Sequence, residues 1–120
     1  MRDSKVVARS NKRLSRGSST IYAVDFDGTL CTDNFPFIGE PNERLINFLK
    51  SEKRRGCSLI LWTCRYGPAL EVAVRWCHDQ GLEFDAVNRN LPEIVEKFGS
   101  DSRKVHADVY IDDKMMEVIW

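Results

Sequence analysis

At 120 residues the chain has room for one domain, a sheet with helical layers but no second module. Its 42% hydrophobic and 30% charged residues are ordinary for a globular domain, and no apolar run approaches the ~20 residues of a membrane span, which excludes a membrane partner. The formal net charge is zero but unevenly divided: residues 1–19 hold six Lys or Arg against Asp3 alone, leaving an equal acidic excess in the remainder.

Residues 1–19 therefore read as a basic, flexible tail with too few apolar residues to join a core, and residues 20–120 as the folded domain. Clustered Lys and Arg make nucleic acid a partner class for that tail. The first strand is expected over Ile21–Phe26, followed by a turn-rich stretch through Phe35-Pro36-Phe37-Ile38-Gly39. A helix is expected from about Pro41 to Arg55, with Leu45, Ile46 and Leu49 on one face and Gly56 as its stop. Ser58–Trp62 reads as a second buried strand ending at Thr63, and Pro68–Gln80 as a second helix stopped by Gly81. Phe84–Val87 is a short strand, Pro92–Phe98 a short helix, and Val109–Ile111 the last strand, running into Asp112-Asp113. Alternating strands and helices predict an α/β fold: a three-layer, Rossmann-like parallel sheet with helices on both faces.

The four cysteines form no Cys-x-x-Cys pair and no metal-ligand spacing with His78 or His106. Each lies in or beside an apolar run, where cysteine behaves as a small hydrophobe. A reduced, cytoplasmic setting is the expectation.

Three strand ends carry polar chemistry: Asp25 with Asp27, Thr63, and Asp112 with Asp113. In open parallel sheets, ligands bind outside the carboxyl ends of the strands, so these distant residues are expected to converge on one crevice. Alternation along a strand puts Asp25 and Asp27 on one side and Phe26 on the other. Like charges so close are costly unless a cation neutralises them, and Mg²⁺ does so with few protein ligands.

The run Asp25-Phe26-Asp27-Gly28-Thr29 resembles the signature of the haloacid dehalogenase (HAD) superfamily of aspartate-nucleophile phosphohydrolases. The resemblance extends from about Ile21 to Asp113. It implies a HAD-like fold and a Mg²⁺-dependent phosphoric monoester hydrolase that works through an aspartyl-phosphate on Asp25. Asp27 is implied to protonate the leaving oxygen, to deprotonate the attacking water, and to offer its backbone carbonyl to Mg²⁺. Asp25, Asp112 and Asp113 are implied to complete the metal site. Thr63 matches the second motif, a hydroxyl donor to a phosphoryl oxygen, and Arg65 is a further candidate for contact with substrate. Lys104, before the last strand, matches the lysine that neutralises the nucleophile and the transferring group. Between Leu30 and Glu43 only a short loop is available, so the site is expected to be open, without a cap domain.

A small phosphomonoester is the expected substrate, with a polynucleotide 3′-phosphate as the alternative suggested by the basic tail. A phospho-accepting signalling domain is the alternative of a different class. Receiver domains of that class place the accepting aspartate after the third strand, where this chain has Val87-Asn88-Arg89-Asn90. The sequence leaves the oligomeric state open.

Overall fold

Four short apolar runs pair as parallel strands, and their alternation decides what each sheet face meets. The structure, a computed structural model, describes residues 19–120. The basic tail read over residues 1–19 therefore falls, except for Ser19, outside the described residues.

The strands are β1 (Ile21–Val24), β2 (Ser58–Leu61), β3 (Ala86–Val87) and β4 (Val109–Ile111), in the order β3-β2-β1-β4. All three pairings are parallel; β1 holds the centre, with Val24 opposite Leu61 on one side and Ile111 on the other. The connecting helices are α1 (Glu43–Arg54), α2 (Gly67–Asp79) and α3 (Pro92–Phe98). Among the described residues, no helix is long and apolar enough to cross a membrane.

Tyr22, Val24, Leu59 and Leu61 point to one face, where they pack with Ile46 and Leu49 of α1 and Ala73 and Cys77 of α2. Ile21, Ala23, Ile60 and Ala86 point to the other, against Leu91, Val105 and Ile94 of α3. Helices thus cover both faces in a Rossmann-like arrangement, as the alternating pattern requires. One buried polar pair interrupts the first face: the Tyr22 hydroxyl donates to Glu52 Oε1 at 2.7 Å. Burial, then this carboxylate, push the phenol well above its usual range.

The helices lie close to where the sequence places them. Asn42 caps α1 by accepting from the Leu45 amide at 3.2 Å, so the helix begins two residues after Pro41. Pro68 sits in the first turn of α2, and Gly99, at φ 76°, ends α3 in the left-handed conformation.

Three strands are shorter than expected, β2 by one residue, since it ends at Leu61 rather than Trp62. β1 stops at Val24 rather than Phe26, because the chain turns at once: the Thr29 and Leu30 amides both donate to Phe26 O, and Gly28 adopts φ 87°. β3 begins at Ala86 rather than Phe84, since the Asp85 side chain accepts from the Leu59 amide and opens the edge.

Candidate active site

Beyond Val24 the amide of Asp25 still donates to Ile111 O, which aligns Asp25 with the residues following β4. Carboxylate oxygens of Asp25, Asp112 and Asp113 all lie within 4.8 Å of one another. Asp25, Asp112, Trp62, Thr63 and Cys64 line an open cleft of about 270 Å³ at the carboxyl ends of β1, β2 and β4. A larger groove of about 640 Å³ along α2 is lined by Leu70, Val74, Leu82 and Phe84 with charged neighbours, and contains none of the motif side chains.

Crowding of negative charge at the cleft bears on Asp25. Burial is the largest cause pushing the Asp25 carboxyl up to about 6, and the charges of Asp112 and Asp113 add to it. The Thr29 hydroxyl, 2.9 Å from Asp25 Oδ2, works in the opposite direction. Thr29 Oγ1 accepts from the Asp113 amide at 3.0 Å, so one side chain ties the β1 turn to the segment after β4. Gly28 makes room for that approach: a Cβ there would stand 2.5 Å from Asp113 Oδ2. The Lys114 ammonium approaches the same oxygen at 3.3 Å from the solvent side.

Asp25, Asp112, Asp113 and Thr63 therefore converge as the strand ends suggest. Thr63 Oγ1 accepts from the Arg65 amide at 3.1 Å, which leaves its own hydrogen available to an anion in the cleft. Its backbone amide donates to Asn88 Oδ1 at 2.8 Å. Asn88 holds φ 55°, a left-handed conformation that asparagine tolerates better than most residues, and so aims its amide back at the β2 loop.

Asp27 does not share this cluster. Because β1 ends early, extrapolating strand alternation past Val24 fails. The Asp27 carboxylate instead takes two 2.8 Å hydrogen bonds from Arg65 Nε and Nη2. Arg65 was expected to meet substrate, but it is only 2% exposed and its remaining three N–H groups reach Pro36 O, Ala69 O and Phe37 O. All five guanidinium donors are thus matched by protein acceptors, and none faces the cleft. The rings of Phe26 and Phe35 flank the guanidinium at 4.9 and 5.1 Å.

Lys104 is exposed, with its ammonium 5.2 Å from the centre of the Tyr110 ring, and makes no ion pair among the described residues. Tyr110 in turn packs against Trp62, which lines the cleft. Of the cysteines, Cys31, Cys57 and Cys77 are buried as expected, whereas Cys64 is exposed on the cleft wall.

Sequence reasoning missed Thr29, Asn88 and Lys114. Thr29 could have been flagged by its place in the turn directly after Gly28, and Lys114 by its adjacency to Asp113. Asn88 had only the weak signal of an asparagine closing a strand.

No protein-family model and no curated protein matches the chain. A solved structure does: it is described as a conserved protein of Bacteroides thetaiotaomicron, with 41% sequence identity and a TM-score of 0.72. The match covers 82% of this chain and 78% of that one.

Proposed function

We propose that this chain, which belongs to the same family as the conserved Bacteroides thetaiotaomicron protein, is a Mg²⁺-dependent phosphohydrolase with a HAD-like, capless site. The observation that carries this reading is the set of three carboxylates on the ends of two adjacent strands, with oxygens within 4.8 Å of one another. Such a group is costly unless a cation occupies it, and its all-oxygen donor set suits a hard divalent ion. Asp25, Asp112 and Asp113 would hold Mg²⁺, with Asp27 contributing its backbone carbonyl in the manner the family resemblance implies. When bound, the ion would neutralise phosphoryl charge and keep Asp25 ionised.

Asp25 is the nucleophile: a carboxylate oxygen attacks phosphorus and the bond to the leaving oxygen breaks, giving an aspartyl-phosphate. Thr63 donates its free hydroxyl hydrogen to a phosphoryl oxygen. Each Asp27 oxygen keeps a second lone pair beside the one used by Arg65, and one of these takes a proton from the water that attacks the intermediate. Lys104 reaches the transferring group by leaving the Tyr110 ring, a movement open to a flexible ammonium on the surface.

The substrate of this reading is a phosphomonoester, and the short loop over the cleft leaves room for a bulky one. The polynucleotide alternative rests on the basic residues before position 20, while the acidic cleft opposes it. The test is hydrolysis of p-nitrophenyl phosphate by the full chain. Mg²⁺-dependent release of phenolate, stopped by chelation and by Asp25→Asn, is expected. Full activity in excess chelator, or with Asn at position 25, would sink the reading.

A further inference from the structure

We infer that the Asp25 cleft binds phosphate esters whose organic group carries a planar aromatic ring close to the phosphate, and that the Trp62 indole is the surface on which that ring packs; this rests on the phosphohydrolase reading of the cleft. The observation is the register of three strand ends. Val24 lies opposite Leu61 of β2 and Ile111 of β4, so Trp62, Asp25 and Asp112 stand side by side, each one residue past its strand. The parallel ladder still runs through them: the Trp62 amide donates to Val24 O at 2.8 Å and the Asp25 amide to Ile111 O at 2.9 Å. Neighbouring strands lie about 4.8 Å apart, so Asp25 has a carboxylate residue on one flank and an indole residue on the other. All three line the cleft, together with Thr63 and Cys64.

The indole is half-buried and held from behind. It packs on the core of the α3 face, and the Tyr110 ring meets it at 5.6 Å and 49°. Tyr110 is itself anchored, because its hydroxyl donates to Val105 O at 2.7 Å. Val105 is buried, and buried Asn90 fixes the loop around it by accepting from the His106 amide at 2.6 Å and donating to Asp101 Oδ1 at 2.8 Å. A surface fixed before the ligand arrives loses little freedom on binding, so more of the contact appears as affinity. The indole N–H meets no acceptor among the described residues and is left for an oxygen of the ligand at the edge of the ring.

The phosphoryl group of this reading lies between Asp25 and Thr63, and Trp62 is the chain neighbour of Thr63. A ring that packs on the indole is therefore joined to the phosphate directly or through a few atoms. The lining decides against a sugar in that place. A sugar brings a hydroxyl on nearly every carbon, and each one taken from water needs a partner. Beyond the acidic cluster the lining offers the indole N–H, the Cys64 thiol and the Thr63 hydroxyl, and the last of these is already assigned to a phosphoryl oxygen. A planar ring needs a π-face and little else. A nucleobase and a simple aromatic group share that chemistry.

The test is calorimetric titration of the full chain with Mg²⁺ against phosphonates, whose phosphorus–carbon bond keeps them intact in the cleft. Benzylphosphonate and an adenosine 5′-phosphonate carry the two kinds of ring, and the tighter of them identifies its source. Cyclohexylmethylphosphonate matches the benzyl compound in size without being flat or aromatic, and a glucose phosphonate represents the sugars. Stacking on an aromatic side chain contributes about 5- to 150-fold per ring, so the tighter aromatic ligand should bind at least about fivefold better than the cyclohexyl compound. Affinity for the saturated ring equal to that for both aromatic ligands, or tightest binding of the glucose phosphonate, overturns the inference. Failure of every phosphonate to bind also overturns it. In each of these cases, Mg²⁺-dependent hydrolysis of p-nitrophenyl phosphate by the same protein leaves the phosphohydrolase reading standing, and its absence removes both.

Variants locate the surface. Trp62→Leu should bring the aromatic-to-saturated affinity ratio close to one, and Trp62→Phe should restore most of it; a ratio that Trp62→Leu does not change overturns the assignment. A readout without any affinity comparison comes from fluorescence. The bound adenosine phosphonate should quench indole emission in the wild type and not in Trp62→Phe, and equal quenching in both proteins would place the ring elsewhere.

Discussion

Two clusters of charge lie within a few residues of each other on the β1 turn, and they are finished to different degrees. At Asp27 one carboxylate meets one buried guanidinium, and all five of its donors find acceptors in the protein. At Asp25 three carboxylates gather around an open cleft, with Thr29 and the exposed Lys114 as their nearby polar partners. The first cluster is complete by itself and fixes geometry. The second carries an excess of negative charge, which suits the cation proposed for it.

The largest expected effect comes from the open cluster. Asp25→Asn keeps the shape but removes the proposed nucleophile, so the proposed phosphatase turnover should fall to background. Asp27→Asn should instead give a burst of about one equivalent of phenolate followed by slow turnover, because the attack of water lacks its base. Rapid-mixing measurements with p-nitrophenyl phosphate separate the two outcomes, and equal retention of activity in both variants would erase the proposed division of labour.

Next in size is the closed cluster. Arg65→Met leaves Asp27, the loop carbonyls of Pro36 and Phe37 and the Ala69 carbonyl in the first turn of α2 without their donor, and a broken buried pair typically costs about 3–5 kcal/mol. Thermal melting should show a loss of that order without Mg²⁺. A loss under about 1 kcal/mol would mean that the pair behaves as an exposed one.

A smaller effect concerns pH. The folded-state value of Asp25 is raised above the ordinary carboxylate value, so folding favours its neutral form. The corresponding stability is fully present below about pH 4 and is lost as pH rises through about 6. Asp25 is partly open to solvent, so the effect should be on the order of 1 kcal/mol. Metal-free Asp25→Asn protein should lack this part of the stability profile. Mg²⁺ should stabilise the wild type at pH 7, by about 2.7 kcal/mol at a hundredfold excess over its Kd. A wild-type melting temperature insensitive to Mg²⁺ at pH 7 would remove the cation from the site.

A comparably modest change is expected at Gly28. Gly28→Ala forces a Cβ against Asp113 and holds a non-glycine residue at φ 87°, which together should cost about 1–3 kcal/mol. Displacing Asp113 should also weaken Mg²⁺ affinity, measured by titration calorimetry, whereas Arg65→Met should leave that affinity nearly unchanged. Opposite results would merge the two clusters into one.

The sequence by itself determined the order of elements and the parallel α/β architecture. Short apolar runs can only be buried strands, amphipathic segments ended by Gly56, Gly81 and Gly99 can only cover them, and strand ends in a parallel sheet meet on one edge. Asp25, Thr63 and Asp112 were legible on that ground, because Asp25 and Asp112 directly follow a strand, Thr63 comes two residues after one, and their positions are inherited from strand pairing. Asp27 and Arg65 were not. Their partners are separated by 38 residues, and the carbonyls of Pro36 and Phe37 belong to a loop whose path no periodicity records. Only the tertiary structure decided that this arginine is spent inside the protein. A guanidinium goes wherever enough acceptors converge to satisfy five donors, and such convergence is a property of the folded chain rather than of any segment of it.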